Sequence, residues 1–224
     1  MSDRDSSRGD LGGDTGAGHL HRLILFSDAV FAIAITLLAI EIHPPHHWHG
    51  VPDLFRQMAP HLITYAVSFG VIGIYWVSHR RIFSRLASAN GILDALNFVV
   101  LGLIGLLPLG TELLWRQEGG QAFPVYLTHV ALIGFALALL WAYAVFVGKL
   151  AKPIALPEAL FVLVRVALLP GMMCALAFFS IANAWGWAVM ALLTVVLARA
   201  GAWIERKYHL AAEAAPEAPS GAAA

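Results

Sequence analysis

The sequence predicts an all-α integral membrane protein with six transmembrane helices and both termini in the cytoplasm. Three observations carry that reading. Of the 224 residues, 59% are hydrophobic and 12% are charged, about half the charged share of a soluble domain. The apolar residues gather into six runs of roughly 20, enough to cross a bilayer at about 1.5 Å of rise per residue. The basic residues gather on one side of those runs, and Lys and Arg are retained in cytoplasmic loops.

The spans fall at about 22–42, 60–79, 93–115, 124–148, 159–181 and 183–204, each near the roughly 20-residue requirement. Arg4, Arg8 and Arg22 precede the first. Arg80, Arg81 and Arg85 follow the second, Lys149 and Lys152 the fourth, and Arg199, Arg206 and Lys207 close the sixth. The opposite side holds only Arg56 and Arg116, and Arg165 lies inside the fifth span. An even number of spans is the number consistent with basic residues at both ends. The third span contains "LLPLG", where Pro108 lacks the N–H a helix needs and predicts a kink. The fifth and sixth are separated by little more than "IANAWG", which requires a tight hairpin.

Residues 1–19 are rich in Ser, Gly and Asp, without the apolar core of a signal peptide, and read as a disordered cytoplasmic tail. Residues 20–208 make the membrane domain and 209–224 a second tail. Cys174 is the single cysteine, so it forms no intrachain disulfide and reads as a small buried hydrophobe. A formal net charge of zero gives no support to a nucleic-acid partner.

The first span, "RLILFSDAVFAIAITLLAIEI", is interrupted by Asp28. At about 1.5 Å per residue Asp28 lies roughly 9 Å beyond Arg22. Arg165 sits at a similar depth in the fifth span, and His79, Asp94 and Asn97 flank the loop between the second and third. Charges inside a bilayer are costly and are usually paired, so Asp28 is expected to pair with His79, Asn97 or Arg165. The alternative is that Arg165 and Arg22 snorkel to the headgroups. On a helical wheel Phe26, Val30, Ile33, Leu37 and Ile40 form one stripe, at spacings of 4, 3, 4 and 3. Asp28 lies about 160° from it, on the side of Ile24, Phe31 and Ile35. Ala29, Ala32 and Ala39 sit between or beside the two faces, where small side chains let helices approach. Periodicity alone leaves the stripe open to packing, lipid contact or a functional lining.

The pattern Arg22-x-x-x-Phe26-Ser27-Asp28, followed by "AVFAIAITLL", resembles the first helix of prokaryotic homologues in the transmembrane protein 175 family of lysosomal potassium channels. "VIGIYWVSHRRIF" and "LDALNFVVLGLIGLLPLGTELL" resemble that family's second and third helices, so the likeness is strong over roughly residues 20 to 115. The last three spans agree in number and length but carry little distinctive motif. The resemblance implies a homotetramer of six-helix subunits whose first helices line a central pore. The family has no "TVGYG" filter, and this chain has none. The resemblance implies a constriction at Ile33, followed on the same face by Leu37 and Ile40, with Thr36 as a hydroxyl layer. It also implies a structural polar cluster of Arg22, Phe26, Ser27, Asp28, Trp76, His79 and Asn97.

The implied function is a potassium-selective or potassium-preferring cation channel in the cell membrane of a prokaryote. Its partners are lipid, potassium ions and its own copies, and it needs no cofactor. Proton conduction through the same fold is the alternative, because the animal relatives are discussed in that role. A secondary cation transporter fits less well: such proteins usually carry inverted repeats and broken midplane helices. There is no internal duplication here, and Pro108 and Pro170 are isolated. An enzyme fits least, with no nucleophile–base pair or metal motif among the clustered polar groups. Outside the membrane, Glu41 is a candidate vestibule acid that concentrates cations, whereas Glu112 reads as a solvated helix end. The loop "HPPHHWHG" sets His43, His46, His47 and His49 close together. They are weak candidates for a metal site, for a pH-responsive vestibule, or for a plain polar loop.

Overall fold

The first helix, α1, spans Ser6–Ile40 in the computed structural model of the chain, which describes residues 6–116 and 122–168 together with 195 and 199. Composition assigns residues 1–19 to a disordered tail, yet the helix runs on through Ser6. Once nucleated, a helix extends at the modest cost of one residue per hydrogen bond. The junction is also anchored: Leu20 and Leu23 are buried, and His19 Nε2 lies 3.0 Å from Asp94 Oδ2.

The second helix, α2, spans Val51–Phe83, starting well ahead of its most apolar stretch. Gly50 precedes it at φ 90, in the left-handed region that favours glycine. Pro52 occupies the first turn, where a missing N–H costs nothing. The Asp53 carboxylate accepts from the His49 backbone N–H at 2.9 Å and from the Gln57 amide at 3.0 Å, which closes the start of the helix.

The third expected span divides into α3, Gly91–Gly105, and α4, Leu107–Arg116. Asn90 caps α3 by accepting from the Leu93 N–H at 2.9 Å. The break at Leu106 follows from Pro108, which has no N–H for the Ile104 carbonyl and crowds it with its ring. Helix α5, Ala122–Ala142, passes into a π-helical turn, Tyr143–Val147. Helix α6, Leu156–Val162, and the π-helical segment Leu163–Leu168 begin the fifth expected span.

Among the described residues four helices are long and apolar enough to cross a membrane: Gly18–Ile40, Val51–Phe83, Gly91–Leu114 and Ala122–Val147. They correspond to the first four expected spans. The rest of the fifth span with Pro170 and Cys174, the "IANAWG" hairpin, nearly all of the sixth span and the 209–224 tail lie outside the described residues. The chain divides into two units, Met1–Phe178 and Phe179–Ala224, and helices α1 to α6 all belong to the first.

Among the described residues α5 is the most central element, burying Tyr126, Val130, Ile133, Leu137, Leu140 and Trp141. It is apolar nearly all round, as a membrane span is expected to be, and its outward side, with Val125, Leu132 and Leu139, is exposed. Hydroxyls pin it in place. Thr111 donates to Ser68 Oγ at 2.8 Å, and Ser68 Oγ lies 3.0 Å from the Tyr126 hydroxyl. The Tyr75 hydroxyl donates to the Val130 carbonyl at 2.6 Å, and the Trp141 indole to the Ala159 carbonyl at 3.0 Å. These buried groups tie α2, α4, α5 and α6 together, the pairing that burial in an apolar medium favours.

At the basic end, the loops after α2 and α5 pair through Leu86 and Ala151. Ala87 donates its N–H to the Leu150 carbonyl at 2.8 Å and Lys152 donates to that of Arg85 at 2.9 Å. The Lys152 ammonium donates to the Ser84 carbonyl at 3.0 Å, and Glu158 sits 3.8 Å from Arg85. Two basic loops are thereby held side by side by backbone bonds that outweigh the repulsion of like charges in solvent.

Candidate functional site

The inner face of α1 is set by Leu20, Leu23, Ser27, Phe31, Ala34 and Leu38, all buried. Their spacing of 3, 4, 4, 3 and 4 keeps one side of the helix against α2 and α3. Ile33 follows Phe31 by two residues, about 200° around the helix. Accordingly Ile33, Leu37 and Ile40 project away from the subunit, 57%, 39% and 67% exposed. Phe26 joins that face lower down, edge-on to Phe98 with centroids 5.6 Å apart, and Val30 is half-buried between them.

Thr36 flanks the same stripe. Its hydroxyl donates to the Ile33 carbonyl at 2.8 Å. Because that hydrogen is committed to the helix, the group offers only oxygen lone pairs outward.

Behind the stripe lies a directional chain of buried polar groups. Ser27 donates to the Leu23 carbonyl at 2.8 Å. The Asn97 amide nitrogen donates to Ser27 Oγ at 2.9 Å. Asn97 Oδ1 lies 2.8 Å from His79 Nε2. Since the Asn97 oxygen only accepts, Nε2 carries the proton and donates, which fixes the tautomer. Ser27, His79 and Asn97 are all at most 1% exposed. The His79 ring stacks on Phe83 at 4.1 Å and leans on Phe31 at 5.5 Å, so α1, α2 and α3 meet around one imidazole.

Asp28 is bonded differently from the sequence expectation. Its Oδ1 accepts from Trp76 Nε1 at 2.8 Å, whereas His79 and Asn97 bond to each other and the Arg165 guanidinium lies 5.7 Å from the Phe161 ring centroid. Asp28, Trp76, His79 and Asn97 lie at one level, but azimuth decides between them. Asp28 is one residue past Ser27 and so turns toward Trp76, near the edge of α2, rather than toward its centre. The Arg80 guanidinium covers the same indole ring at 4.9 Å from its centroid, a cation–π contact. Arg22 is exposed and makes no hydrogen bond or ion pair with the described residues; the structure does not bring it to this group.

The Asp28 bond makes a measurable prediction. Asp28→Asn keeps an oxygen for the indole and should melt within about 0.5 kcal/mol of wild type. Asp28→Leu strands a partly buried indole N–H and should cost about 1–2 kcal/mol. Thermal denaturation in detergent separates the two, and equal losses would show that charge, not the hydrogen bond, holds this contact.

At the far end of α1, Glu41 is half-buried. His43, His46, His47 and His49 disperse along the loop that follows. His43 Nδ1 lies 2.9 Å from the Glu41 carbonyl, while the His47 carbonyl accepts from Gln57 at 3.3 Å. Among the described residues no three His, Cys, Asp or Glu side chains converge as metal ligands.

These features define a helical membrane protein whose first helix is anchored inward by polar groups and leaves an aliphatic edge exposed. Comparison with known proteins narrows the class. The family described as endosomal/lysosomal potassium channel TMEM175 matches residues 22–108. A potassium channel of Streptomyces collinus is 34% identical over 143 residues, covering 59% of this chain and 68% of the relative. A potassium channel of Chamaesiphon minutus is 33% identical over 137 residues, covering 58% and 68%. The endosomal/lysosomal proton channel TMEM175 of Gallus gallus is 31% identical over 102 residues, which cover 41% of this chain and 20% of that protein. Among solved structures, the lysosomal potassium-selective channel TMEM175 homologue from Chamaesiphon minutus superposes with a TM-score of 0.64 at 28% identity, covering 81% of this chain and 97% of that one. The chain belongs to the TMEM175 family, whose members are ion channels and not enzymes.

Proposed function

We propose that the chain is a potassium-preferring cation channel of the prokaryotic cell membrane, a homotetramer in which four copies of α1 surround the conduction path. The observation that carries this reading is the two-sidedness of α1: Ile33, Leu37 and Ile40 stand free of their own subunit, while Ser27 and Asp28 bond back into it. A free-standing aliphatic stripe on a helix with a polar anchor behind it is what a shared axis requires. Potassium channels among the bacterial relatives support the choice of ion.

In this reading residues 20–208 form six spans with both termini cytoplasmic, flanked by tails at 1–19 and 209–224. Ile33 forms the narrowest ring, with Leu37 and Ile40 continuing it. A pore a few ångströms wide and lined by isoleucine excludes water unless it widens, so the same ring gates and filters. An ion passing it sheds part of its hydration shell, and potassium holds that shell less tightly than sodium does. The Thr36 lone pairs, freed for coordination by the bond to the Ile33 carbonyl, replace some of the lost water. Glu41 raises the local cation concentration at the far mouth. Ser27, Asp28, Trp76, His79 and Asn97 hold α1 in the orientation that presents the stripe, with Phe26 packed beside them and Arg22 at the mouth.

Proton conduction is the second reading, because the vertebrate relatives are named proton channels. Liposomes containing the purified chain distinguish these outcomes from transport. With a permeant anion present to compensate charge, potassium efflux should rise with gradient, need no obligatorily coupled ion and exceed sodium efflux. Flux that saturates or requires a coupled ion would overturn the channel reading, and acidification without potassium movement would favour protons.

A further inference from the structure

Away from the α1 stripe, α2 carries a cavity of about 620 Å³, lined by Phe69, Gly70, Gly73, Ile74 and Val77 with Ile35 of α1 across from them. Trp76 borders it and Arg81 closes one end. A second cavity of about 290 Å³ adjoins it through Val77 and Arg81, and adds Arg80 and Ser84. The two share Val77 and Arg81, so a mostly apolar trough that includes Ser78 leads along α2 to a pair of cations at its end.

We propose that this trough binds an anionic phospholipid, with an acyl chain along Gly70 to Val77 and the phosphate at Arg80 and Arg81. Its length fits. From Gly70 to Arg81 is about 16 Å of helix, close to half of the roughly 30 Å hydrocarbon layer, and so the depth of one leaflet. Its floor fits as well. A Cβ placed on Gly70 or Gly73 would meet nothing within 4 Å, so the two glycines leave real space where side chains would otherwise fill it. Phe69, Ile74 and Val77 are exposed and give the chain an apolar wall.

The cationic end chooses the headgroup. Guanidinium forks match phosphate oxygens in pairs. The Arg80 fork lies over the Trp76 ring, which uses its face and leaves its N–H edges available. Ser84 donates its hydroxyl hydrogen to the Arg81 carbonyl at 3.0 Å, which fixes that turn beside the site. No carboxylate lines either cavity among the described residues. A zwitterionic lipid brings its own cation to this pair and loses the advantage. Basic pockets at the ends of membrane helices attract anionic lipids on these grounds. The assignment is independent of which ion the protein conducts.

Bromine quenches tryptophan at short range, and Trp76 borders the trough. Full-length protein in phosphatidylcholine vesicles, doped at equal mole fraction with brominated phosphatidylglycerol or brominated phosphatidylcholine, reports occupancy as the part of the quenching that a Trp76→Phe variant loses, because the chain carries seven tryptophans. The phosphatidylglycerol probe should quench more than the phosphatidylcholine probe. Arg81→Gln should reduce that excess and Arg80→Gln/Arg81→Gln should abolish it. Gly73→Leu, which has open space for its side chain, should lower quenching by both probes and leave the oligomer intact. Equal quenching in the unaltered protein, or an excess that survives loss of both arginines, overturns the assignment. So does a Gly73→Leu variant that dissociates the oligomer while its quenching is unchanged, because a second copy of the chain would then be what fills the trough.

Discussion

Ile33→Asn channels reconstituted in planar bilayers will carry more current than wild type and discriminate less between potassium and sodium. Ile33 is 57% exposed and is not part of the buried core, so the substitution removes no core packing and the subunit should fold as before. In the proposed tetramer what changes is the surface presented to the axis. An isoleucine ring excludes water because wetting it costs free energy for each apolar surface, and an amide ring supplies donors and acceptors that hold water in place. A fall of only about 1.4 kcal/mol in the barrier gives a tenfold rise in rate, and four copies of one side chain contribute to it. An expected gain of about tenfold in current is therefore modest. Selectivity should fall at the same time, because an ion crossing a wetted ring keeps more of its shell and the difference between the ions shrinks. The bi-ionic reversal potential measures it. A reversal potential equal to that of wild type, in a channel that still assembles, would remove Ile33 from the filter.

Much of the described fold is legible in the sequence, for a definite reason. Hydropathy reports depth, and depth locates the first four spans and the common level of Asp28, His79 and Asn97, while Pro108 marks the break by its missing N–H. The 3.6-residue period then separates Ile33, Leu37 and Ile40 from the buried side of α1. What the sequence does not carry is azimuth between helices. Asp28 and Ser27 are neighbours on one turn, yet one bonds Trp76 of α2 and the other Asn97 of α3, and no pattern within a single helix distinguishes those outcomes. The Ser68, Thr111 and Tyr126 group is hidden for a related reason. Three hydroxyls on three different spans look like isolated polar positions until the helices are packed. The reach of α1 back to Ser6 is masked by composition, since a Gly-rich segment has little helix preference of its own.

The buried relay behind α1 should yield the largest loss of stability. Asn97→Ala removes the acceptor of His79 Nε2–H and the donor to Ser27 Oγ together. Both neighbours remain buried, and the desolvated imidazole N–H is left without a partner at a cost of about 1–3 kcal/mol. The small cavity left by the amide adds to it, so a loss of about 2–3 kcal/mol is expected. Melting temperatures in detergent should fall by several degrees, at about 2–4 °C per kcal/mol for a chain of this size. A double-mutant cycle isolates the bond. His79→Phe keeps a ring to stack between Phe83 and Phe31 but orphans the Asn97 oxygen, and Asn97→Leu orphans the imidazole. Combined, they remove both orphans and leave an apolar contact, so the double variant should be more stable than the sum of the single losses predicts, by about 0.6 kcal/mol or more. Helix–helix hydrogen bonds in membranes reach only about 0.6 kcal/mol on average. Strict additivity would therefore mean that apolar packing alone holds α1 in place. In that case the Ile33 face would owe its direction to Phe31, Ala34 and Leu38, and Asn97→Ala channels would keep their selectivity. The relay predicts the opposite: a channel whose ring is loosened along with its anchor, leaking more as it melts earlier.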